Sequence, residues 1–159
     1  MWLPEAYRKS PTIQAAKSKA LTVGVGVKAW YGVCMHFDLT GFSADQNFAF
    51  LDLMILAMHA DGHLSSPEDE TLQKLLAAMG FVQEPVRRRE FDQAVARITP
   101  SLQSIPKSRK LALALADAFT VRPQQKQVYA AVEEIMTFDN NISTWENTLL
   151  MELRMKFRL

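Results

Sequence analysis

The stretch HADGHLSSPEDE, residues 59–70, brings His59, Asp61, His63, Glu68, Asp69 and Glu70 close together in sequence. Imidazoles and carboxylates at such density suit a divalent cation. A calcium loop needs several oxygen ligands, with acids at its first positions and a carboxylate at its last. Asp61, Gly62, Leu64, Ser65 and Glu68 imitate the later positions, but Ala57 and His59 stand where two earlier ligands belong. His59 and His63 fall on either side of a bend, so their spacing does not establish a helical zinc pair. The same residues also fit a helix start: Ser65 followed by Glu68 is a capping box, in which hydroxyl and carboxylate satisfy backbone N–H groups left open at the first turn. Capping, binding of a metal or acidic ligand, and catalysis are the three alternatives at this stretch.

The pattern recurs. Laying MHADGHLSSPEDETLQKLLAAM (58–79) over MTFDNNISTWENTLLMELRMKF (136–157) matches Met58 with Met136, Asp61 with Asp139, Ser65 with Ser143, Glu68 with Glu146, Leu72 with Leu150 and Leu75 with Leu153. Gly62 meets Asn140, and glycine and asparagine are the residues that best tolerate a positive φ. Leu64 and Ile142 are expected to turn inward and anchor each bend. Asp45, Asp52 and His59 recur every seven residues, which places them near one face of the preceding helix, read as a solvated stripe that can also contribute to an acidic site.

The ADGHLSSPEDETLQKLL segment, preceded by a strongly apolar helix and echoed by FDNNISTWENTLL, resembles the TerB-like tellurite-resistance family. The resemblance covers roughly half of the chain and departs at Asn140 and Trp145. It implies a compact helical domain built around two related helix pairs, and an acidic surface with a divalent cation as its ligand. Carried to matching positions, it marks Asp61, Glu68, Asp139 and Glu146 as metal ligands, with Asp52 and His59 as weaker candidates. It also implies a protein partner, a membrane-associated one included, and is compatible with a homo-oligomer.

Other chemistry finds little footing. No Ser, His and acid combination has the context of a nucleophile, and no phosphate-cradling loop appears. Gly24, Gly26 and Gly32 make no dinucleotide fingerprint, because Ala29 stands where a third glycine belongs. Arg87, Arg88 and Arg89 point in different directions on a helix and are followed by Glu90 and Asp92, which reads as a solvated surface. The methionines, Trp145 and Phe157 read as packing residues. A net charge of +1 offers no general attraction to nucleic acid or anionic lipid. The charge is uneven, however. Residues 41–80 hold Lys74 against six acids, and residues 81–120 hold seven cations against four acids, so two oppositely charged segments can pair with one another. The lone Cys34 excludes an internal disulfide, and no apolar run approaches the roughly 18 residues that span a bilayer. A cytoplasmic protein without membrane insertion is expected.

The elements that must position these residues are helical. At 159 residues and 48% hydrophobic, the chain suits one domain with a genuine core. Ser43 and Gln46 make a capping box for a helix over 44–60, apolar around most of its circumference and therefore central. A second helix is expected over 66–79, ended by Gly80. Pro85, Pro106 and Pro123 introduce three more, and TWENTLLMELRMKF closes the chain. The expected fold is an all-α, compact bundle of seven or eight helices with two related helix-turn-helix repeats: a TerB-like core over 42–159, on which a helical and Gly-containing segment over 1–41 packs. The expected function is a non-catalytic accessory protein of tellurite resistance or stress response. A metal-free structural interaction module and a small metal-dependent helical hydrolase are the alternatives.

Overall fold

The computed structural model describes residues 36–59, 66–137 and 142–159, with the side chains of 66–69 excepted. Six α-helices occupy them: α1 (Ala44–Met58), α2 (Ser66–Ala78), α3 (Glu84–Ile98), α4 (Ile105–Ala116), α5 (Arg122–Thr137) and α6 (Thr144–Phe157), with a 3-10 turn at Thr99–Ser101. No strand occurs among the described residues. The helical and Gly-containing stretches expected before residue 36 lie outside them.

α1 begins where its capping box requires. Ser43 Oγ accepts the Gln46 N–H at 3.2 Å, and Gln46 Oε1 accepts the Ser43 N–H at 2.9 Å. Every residue from Ala49 to Met58 is buried. That continuity is what an all-round apolar helix requires, since each large side chain left in water forgoes about 1.5–3 kcal/mol. α2, α3, α4 and α5 all pack against α1, and α6 packs on α4 and α5. The helix ends at Met58, two residues before its expected limit, with His59 as its C-cap and the His59 N–H donating to Ile55 O.

Proline and glycine punctuate the rest. Pro85, Pro106 and Pro123 each fall in the first turn of a helix, a position where the missing N–H removes no helical bond. Gly80 follows α2 with φ +94°, a conformation costly to any residue with a Cβ. Buried positions on α4 are all small: Ser108, Ala112 and Ala116, one helical turn apart, so its larger leucines remain half-buried. Aromatic rings cluster around Phe119, which stands just ahead of α5 and lies 6.3 Å from Phe50, 6.0 Å from Phe42 and 6.4 Å from Phe157.

A pair of side-chain amides joins the starts of α1 and α5. Gln46 Nε2 donates to Gln124 Oε1 at 3.2 Å and to Ala118 O at 2.7 Å, while Gln124 Nε2 donates to Gly41 O at 2.9 Å and lies 3.4 Å from Gln46 Oε1. Each amide thus reaches the backbone just ahead of the other's helix. Gln124 is buried, so these bonds replace the water it has lost.

Candidate acidic site

Asp52 sits in the middle of α1, 8% exposed. A carboxylate so placed is tolerable only with a partner, and α3 supplies one: Arg97 Nε lies 3.0 Å from Asp52 Oδ2, and a terminal nitrogen 2.7 Å from Oδ1. Both oxygens are engaged by one planar fork, the strong geometry for this pair. The bond to Asp52 pushes the Arg97 pKa up against the opposing effect of burial, and the nearby Glu90 adds to the rise. The guanidinium also lies 5.5 Å from the centre of the Phe48 ring. Asp45 is exposed and His59 half-buried, so Asp45, Asp52 and His59 do not form one solvated stripe. Arg97, far away in sequence, neutralises Asp52 and permits its burial.

Glu146 is 5% exposed in the first turn of α6. Its Oε2 accepts the Ser143 N–H at 2.7 Å, and Ser143 Oγ accepts the Glu146 N–H at 3.2 Å. The capping box expected at the second bend is therefore present, and it occupies one oxygen of a candidate ligand. The bend itself differs from expectation in one respect: Ile142 is 44% exposed and does not anchor it in the core.

Asp61, His63, Leu64, Ser65 and Asp139 lie outside the described residues. Glu68 lies in the first turn of α2, but its side chain is outside them too. Asp52 and Glu146 take partners on separate elements, Asp52 on α3 and Glu146 at the head of its own helix. Among the described residues, no three or more His, Cys, Asp and Glu side chains gather as a metal site would require.

Of the arginine triplet, Arg88 and Arg89 are exposed, as expected of a solvated surface, while Arg87 is half-buried. Arg87 donates from Nε to Gln73 Oε1 at 2.8 Å, and from a terminal nitrogen to Phe81 O at 3.3 Å and to Val82 O, which locks the turn between α2 and α3. Arg89 pairs with the buried Glu90 at 3.0 Å. Phe157 is buried as expected, but Met151 and Met155 are not packing residues, being 57% and 68% exposed. Sequence patterning missed Arg97 as the partner of Asp52 and Gln124 as the partner of Gln46. The second carried a usable signal, because Gln46 and Gln124 stand in the same register as Asp61 and Asp139.

No helix among the described residues is long and apolar enough to cross a membrane. No family model, curated protein or solved structure matches this chain.

Proposed function

We propose that this chain is a TerB-like, non-catalytic accessory protein of the tellurite-resistance and stress-response kind, working in the cytoplasm through two acidic corners at Asp61 and Asp139. The corners would arise from a duplicated helix pair, α1–α2 and α5–α6. One observation carries this reading. α1 and α5 begin at Ala44 and Arg122, and α2 and α6 at Ser66 and Thr144, so both starts repeat at the 78-residue separation of the bonded pair Gln46–Gln124. Such register supports a common ancestry for the two halves and, through it, the family resemblance.

Asp61 and Asp139 would hold a divalent cation, joined by Glu68 and by the second oxygen of Glu146. The cation would supply a hard positive centre for a protein partner's acidic or carbonyl oxygens. Asp52 has no part in this, because Arg97 holds both its oxygens. Calorimetry with calcium, magnesium, manganese and zinc tests the reading. Binding that weakens in both folded Asp61→Ala and Asp139→Ala variants supports it, and the absence of binding heat for all four ions refutes the metal role.

A second reading, a helical interaction module without metal, draws support from Asp52 and Glu146. Both are engaged by the protein's own donors, as acids serving only the fold would be. It expects no ion binding and partner capture unchanged in the aspartate variants.

A further inference from the structure

The methionines among the described residues divide by their access to water. Met54, Met58 and Met136 are buried and Met79 is half-buried, whereas Met151 and Met155 are each more than half exposed. The exposed two stand one turn apart on α6, on the face turned away from its buried Leu149, Leu150, Leu153 and Phe157. Their helix is held without them, because Glu152 pairs with Arg109, Lys156 pairs with Asp117 and Glu146 closes the capping box. α6 therefore presents two thioethers that solvent reaches and that the core does not use.

We propose that Met151 and Met155 form a surface site of reversible oxidation, each taking one oxygen atom from hydrogen peroxide. A lone pair on sulfur attacks one peroxide oxygen, the O–O bond breaks, and the departing hydroxide takes the proton of the attacked oxygen to leave as water. Sulfur loses two electrons to become a sulfoxide, and the peroxide gains them. Methionine sulfoxide reductases reverse the step with a dithiol, which becomes a disulfide as the oxygen leaves as water. Oxidation turns a flexible apolar side chain into a polar one. At Met151 and Met155 the new dipole meets water, so the fold accommodates it. At Met54, in the middle of α1, it would be buried among apolar side chains without a partner. Burial also shields Met54, Met58 and Met136 from the oxidant, so the sulfurs that react first are those whose change the fold tolerates. This site does not rest on the acidic corners.

The test treats the folded full chain with hydrogen peroxide and follows each methionine by peptide mass mapping. Met151 and Met155 should each gain one oxygen first. Met54, Met58 and Met136 should react at least about tenfold more slowly, because a buried thioether is reached only through opened states. Protein oxidised at Met151 and Met155 should keep the melting temperature of the untreated protein, and the two epimer-specific reductases with dithiothreitol should remove both oxygens. A Met79→Leu variant isolates the pair if the half-buried Met79 reacts in step with it. The proposal is overturned by equal rates at Met54 and Met155, by a lowered melting temperature in protein oxidised at this pair alone, or by sulfoxides that persist in the presence of both reductases.

Discussion

Gln46 and Gln124, 78 positions apart, face each other across the start of α1 and α5 with their side-chain amides 3.2 Å apart. In a molecule with a twofold relation between its halves, only residues at the axis meet their own counterparts. The proposed duplication makes these two glutamines such a pair. Their bonds to Ala118 O and Gly41 O extend the reciprocity into the backbone.

The amide pair should behave as a coupled unit. Gln46→Ala and Gln124→Ala should each destabilise the protein by about 1–2 kcal/mol, the range for a lost buried hydrogen bond. The double variant should cost less than their sum, by about 0.5 kcal/mol or more. Denaturant unfolding of the four proteins measures this, and strict additivity would show that the amides do not act on each other.

Arg97 should matter more to the fold than a half-exposed arginine ordinarily does. Arg97→Met leaves the Asp52 carboxylate buried without its fork and should cost about 1–3 kcal/mol. An Asp52→Asn/Arg97→Met variant should recover part of that loss. If Asp52 serves packing alone, none of these changes alters ion binding in calorimetry. A change in affinity on Asp52→Asn would return the residue to the candidate ligands.

At the second bend, Ser143→Ala should cost about 1 kcal/mol, the usual value of a helix cap. Glu146→Gln should cost less than Glu146→Ala, because an amide oxygen can still accept the Ser143 N–H, as Gln46 does for Ser43. Thermal melts of the three variants give the order, and equal losses for Gln and Ala would remove the carboxylate's capping role.

Burial pushes the Glu134 carboxyl pKa up from its ordinary 4.5, with Lys74 pulling the other way. A raised folded pKa means that the fold prefers the protonated acid. That contribution is complete below 4.5 and disappears as pH rises through the folded value. Glu134→Gln should therefore improve the melting temperature more at pH 7 than at pH 4. Equal effects at both would show that burial does not disfavour the charge.

The local parts of this fold are legible in the sequence because their causes are local. Ser43 and Gln46, or Ser143 and Glu146, are three residues apart and cap whatever helix follows. Pro85 and Gly80 act through their own φ angles. The residues Phe50–Met58, apolar on every side except at Asp52, leave α1 nowhere to go but the centre. What patterning misread depends on distant neighbours: Asp52 looks solvated until Arg97 of α3 is placed over it, and Met151 and Met155 look like core until α4 and α5 have covered the opposite face of α6. Of the candidate ligands, Glu146 shows the difficulty most clearly, since the same carboxylate at the same position serves a cap or a cation equally well by sequence.

Manganese titration followed by backbone amide resonances tests most directly whether the two proposed acidic corners take a divalent cation. The paramagnetic ion should broaden signals at 59–66 and at 137–143 together, leave the amides around Asp52 sharp, and lose both effects in an Asp61→Ala/Asp139→Ala variant. Broadening confined to other surfaces, or none at millimolar manganese, would contradict the account.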